Sequence, residues 1–114
     1  MKTLAHIDLL IDNHIEVCKG LPPAGVDAQN ALDNIEFLKK CRLVLIGLDH
    51  TQILSQLQNV EKKITLYNAK VESLQGFSNS KKIKKAADLI GKEFNIEYLY
   101  KQFKILTFIT SPDH

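Results

Sequence analysis

Few residues in this chain combine the type and the spacing that chemistry needs. The histidines are His6, His14, His50 and His114. His6 and His14 are eight apart, so they do not form the i, i+4 pair with which a helix holds zinc. No Glu-x-x-His occurs, which removes the di-metal motif of helical bundles. Asp8, Asp12 and Glu16 recur every four residues and line three carboxylates along one helix face. Such a set can meet a hard cation, but it is also the pattern of a solvated outer face. Cys18 and Cys41 fall inside amphipathic stretches, outside any metal spacing, and are expected to be reduced thiols packed as small hydrophobes. Arg42 and His50 are separated by the helix-breaking Gly47. With no nucleophile elbow, phosphate loop or Cys/His frame, the sequence argues against an enzyme. It implies no metal, no cofactor and no small-molecule substrate.

A second group of residues has the chemistry of anion binding. Lys81, Lys82, Lys84 and Lys85 flank Ile83, and Lys101 and Lys104 follow. Residues 1–57 carry five Lys/Arg and seven Asp/Glu, whereas residues 58–114 carry ten and six, so the basic character is local. Lysines at a helix start oppose the helix dipole, which leaves room for phosphates. Residues 81–104 also have the outline of a helix-turn-helix, with a second helix presenting Glu97, Tyr100, Lys101 and Lys104. Within it, YLYKQFK (98–104) resembles the recognition helix of AraC-type regulators, a Tyr-Leu pair followed by Phe-Lys. The resemblance spans about 20 residues and implies base reading by this helix. Glu93 stands where that family has a small residue, and a Gly-containing continuation after Phe-Lys is missing.

These residues must be carried by helices. Ile53, Leu57, Val60, Ile64, Tyr67, Val71 and Leu74 are spaced 4, 3, 4, 3, 4, 3, a heptad seam along one long central helix. Asp49 with Gln52 has the form of a capping box at its start, and it is expected to span about 50–75. A first helix over 3–19 places Leu4, Ile7, Ile11 and Cys18 on one stripe and ends at Gly20 as a left-handed cap. LPPAG (21–25) cannot continue it. A second helix, about 27–46, has Leu32, Ile35, Leu38, Leu45 and Leu48 on its apolar side and a Glu36–Lys40 pair outside. Leu43–Ile46 is apolar all round and is expected deep in the core. A short helix over about 81–92 follows, capped by Ser78 or Ser80. Then comes an aromatic segment begun by Asn95, whose β-branched end fits helix or strand.

The fold class is therefore all-α: a bundle of four main helices plus a short extra one, with the first three packed up-down-up because their links are short. Residues 1–110 form one domain, and residues 111–114 a frayed tail. A composition of 45% hydrophobic and 25% charged residues supports a packed chain. Its apolar runs are too short to span a membrane, and the acids at 8, 12 and 16 break any secretory leader, so a cytoplasmic location is expected. The function this favours is a non-catalytic binding or adaptor protein, homodimeric through helix packing. Leu57, Val60, Ile64, Tyr67, Val71, Tyr100, Phe103 and Phe108 are its contact residues. The alternative is a small nucleic-acid-binding regulator using Lys81, Lys82, Lys84, Lys85, Lys101 and Lys104.

Overall fold

Three helices begin at Thr3, Asp49 and Asn79, whose side chains accept from free backbone N–H groups, while those begun by Gly25 and Asn95 have no such side-chain bond. A computed structural model of the chain describes residues 1–76 and 79–112. Parts of the expected 76–80 loop, including Ser78, and of the tail fall outside them. The described residues form five α-helices: α1 (Leu4–Lys19), α2 (Val26–Gly47), α3 (His50–Glu72), α4 (Ser80–Phe94) and α5 (Ile96–Thr110). A 3-10 turn over Ser73–Gly76 follows α3, and no strand is present among them.

Thr3 accepts from the His6 N–H to open α1. The capping box at α3 is present: Asp49 Oδ1 accepts from the Gln52 N–H at 2.8 Å, and Gln52 Oε1 from the Asp49 N–H at 2.9 Å. Asn79, not a serine, caps α4, and that helix extends to Phe94, as long as α5. The α1 stop is also different. Gly20 lies at φ −88°, in right-handed backbone, because its N–H continues the last turn to Cys18 and Val17. Asn95 alone separates α4 from α5. It adopts the left-handed conformation (φ 51°, ψ 54°), which asparagine tolerates better than other side-chain-bearing residues, and its N–H closes on Gly91 and Lys92. Gly91 packs beside Ile96, where a Cβ would stand 3.4 Å from Ile96 Cγ2, close to ordinary contact. The β-branched C-terminal segment is helix throughout.

Packing departs from the up-down-up expectation. α1 lies chiefly on α2, and α3 chiefly on α5, while α5 also touches α2 and α4. A short link joins neighbours in sequence, but here the apolar side of α3 faces the aromatic α5. The core joins Ile7 and Ile11 of α1, Ile35, Leu38 and Cys41 of α2, Ile53 of α3, and Ile105, Leu106 and Ile109 of α5. Phe37 and Phe108 meet edge to face across it, centroids 5.5 Å apart. We call this region the head. The remainder of α3 with α4 and the start of α5 forms an arm, in which α4 buries no residue fully.

Two expectations about α2 are corrected. Leu43 and Ile46 are exposed, not deep in the core, and only Val44 and Leu45 between them are half-buried. Leu32 is exposed as well, because it projects about 120° round the helix from Leu38. α1 and α5 cover two sides of α2 and leave a third open. The chain is accordingly spread out, with extents of 52 × 40 × 21 Å.

Candidate functional site

α3 turns its heptad-spaced residues toward α5 and α4. Ile53 and Leu74 are buried, and Leu57, Val60, Ile64, Tyr67 and Val71 are half-buried. Tyr67 packs edge to face on Phe94, centroids 6.0 Å apart, and Lys70 lies over the same ring and reaches Glu93 Oε1 at 3.4 Å. Tyr67 also borders an open hollow of about 550 Å³ at the α4–α5 junction, with Gly91 and Asn95 on its wall. On α5, Phe103 and Phe108 are half-buried and Tyr100 is exposed.

The lysines divide into two sets. Lys81, Lys82, Lys84 and Lys85 are all exposed on the outer side of α4, opposite the stripe of Ile83, Ala87, Ile90 and Phe94. Lys101 and Lys104 instead line a groove with Asp33, Glu36, Phe37 and Lys40 of α2, where the Lys104 ammonium lies 5.0 Å from the Phe37 ring centre. The α4–α5 junction is one residue, shorter than the three or four of a DNA-reading helix-turn-helix.

The first helix holds two findings. Asp8 is only half-buried and accepts from Arg42 Nε at 2.7 Å, while Asp12 and Glu16 stay exposed, with Glu16 bonded to Lys19 at 2.9 Å. Asp8 and Glu16 are thus used as side-chain partners, and no group of three His, Cys, Asp or Glu able to hold a metal occurs among the described residues. His14 sits half-buried beside Leu10, Phe37 and Phe108. Cys41 is buried, and that burial pushes its thiol up to about 11 from an ordinary 9.0. Cys18 is half-buried, and both thiols are free.

Sequence reasoning missed Lys2. It is 7% exposed, its ammonium donates to the Phe108 carbonyl at 2.8 Å, and it stands 4.3 Å from the Phe108 ring centre. Its backbone N–H donates to Ile109 O at 2.7 Å. A cation is favourable at a helix C-terminus, where carbonyls are free. Nothing in the spacing around residue 2 signals this; the nearest hint is that α5 has no basic residue in its own last turn. No described helix is long and apolar enough to cross a membrane.

Set against protein-family models, curated proteins and solved structures, the chain matches none.

Proposed function

We propose that this chain is a non-catalytic binding module, one domain over residues 1–110, which acts through helix packing and self-associates as a homodimer. The observation that carries the reading is uncovered surface. The radius of gyration is 18.2 Å, against about 13 Å for a compact chain of this length. The accessible surface is 8127 Å², about 1,800 Å² more than a compact monomer of this mass exposes. Obligate homodimers bury about 1,000–2,500 Å² on each partner, so a second subunit is of the size needed to cover the surplus. In this reading the heptad-spaced seam of α3 is the spine of a small bundle. α4 and α5 lie over it, so Leu57, Val60, Ile64, Tyr67 and Val71 serve internal packing first.

Sedimentation equilibrium across a concentration series tests the reading. The expected result is a reversible dimer, and a single monomeric species at every concentration overturns it. One observation favours a second reading: four lysines in the first turns of α4 are all exposed on one side. Binding to heparin and duplex DNA with a steep salt dependence, lost when those four become Glu, is its signature.

A further inference from the structure

We infer that the homodimer forms through α2, as two copies meeting antiparallel along one exposed stripe of that helix. This rests on the homodimer reading above and specifies its interface.

The stripe is Gln29, Leu32, Glu36, Lys39, Leu43 and Ile46, spaced 3, 4, 3, 4, 3, and all six residues are exposed. It runs along the open side of α2 between α1 and α5: Lys39 and Leu43 border Asp8 and Ile11 of α1, and Glu36 borders the groove that holds Lys101 and Lys104 of α5. Leu32, Leu43 and Ile46 are 54%, 68% and 56% exposed. Large aliphatic side chains on one stripe of an otherwise well-packed helix mark a face that another helix covers. Residues 43–46 are apolar all round, the composition of a helix buried on every side.

The choice of a second copy over another partner comes from self-complementarity. The spacing is palindromic about the midpoint between Glu36 and Lys39. An antiparallel pair on that axis sets Leu32 against Leu43 of the second copy and Glu36 against Lys39 of the second copy, with both contacts repeated by symmetry. The outer layers set Ile46 against Gln29, whose amide is already held by Asp33 Oδ1 at 2.9 Å. A parallel pair would oppose Glu36 to Glu36 and Lys39 to Lys39, so the charges select the antiparallel arrangement. Neither residue makes an ion pair among the described residues; the Glu36–Lys40 pair that their spacing suggests is not formed. At 22 residues, α2 offers a contact line about 33 Å long, and a stable interface needs about 800 Å² per partner, well inside the surplus surface.

Sedimentation equilibrium on the full chain and its variants tests the interface, with circular dichroism to check that each variant is folded. Leu43→Glu is expected to raise the dimer dissociation constant at least about a hundredfold, since it buries a charge on each side of the axis. Glu36→Lys and Lys39→Glu alone should each raise it about tenfold. Mixed in equal amounts, these two variants should recover wild-type affinity, because the mixed dimer restores both opposite-charge pairs. The mixing result stands even if Leu43→Glu fails to fold. Weakening without recovery on mixing overturns the antiparallel pairing. A dimer insensitive to all three changes overturns the interface and leaves the homodimer standing, with its contact elsewhere. A wild-type chain that stays monomeric overturns both.

Discussion

In the head, four helices close on one another and Ile7, Cys41, Ile53, Leu106 and Ile109 lose all contact with solvent. Leu57 and Val60 of α3 still pack against the head's core; farther out, in the arm, the same stripe meets only α5 and the narrow inner edge of α4, and Ile64, Tyr67 and Val71 stay half-covered. The spacing of apolar residues is as regular in the arm as in the head. What differs is the cover: a face is sealed where four helices close on one core, and only shaded where it meets α5 and one edge of α4. Periodicity sets which side of a helix turns inward, and the count of partners sets how much free energy that side contributes.

This contrast can be broken by measurement. Leu106→Ala, in the head, is expected to cost about 3 kcal/mol in urea denaturation, because it opens a cavity where four helices meet. Ile64→Ala, at an equivalent stripe position in the arm, should cost about 1.5 kcal/mol, since part of the removed side chain is already in water. Equal costs would mean the arm is as well covered as the head in solution. A dimer contact on the arm, in place of the α2 stripe, would then be the first place to look for that cover.

A smaller effect sharpens the description of the head. Cys41 has its thiol raised to about 11, so at pH 8 a thiol reagent should modify Cys18 well before Cys41. The sign for stability follows. The unfolded chain loses this proton near pH 9 and the folded chain only near 11, so the contribution is intact below pH 9 and is lost as pH rises from 9 to 11. Simultaneous modification of the two cysteines would show that the head admits solvent.

Much of the helical layout was legible. Asp49 and Gln52 announce the start of α3, and the heptad spacing picks out the side of α3 that turns toward other helices, because caps and stripes are properties of neighbouring residues. The α2 residues were read less well. Leu32 looks like part of the Ile35–Leu38 side, and Leu43–Ile46 looks like core, since an apolar residue carries no mark of how many helices will reach it. For the same reason the stripe from Gln29 to Ile46 becomes visible only once the covered sides of α2 are known. Lys2 was not legible at all: its role depends on where the end of α5 arrives, more than 100 residues later.

That clasp has a topological consequence. With the Lys2 amide bonded to Ile109, the start of α1 and the end of α5 lie side by side on the head. A short linker could join them, and a new opening in the sequence between Gly76 and Asn79 would leave every described helix whole. The clasp would then become an internal loop, and the order of helices along the re-cut chain would begin at α4 while the head kept its neighbours.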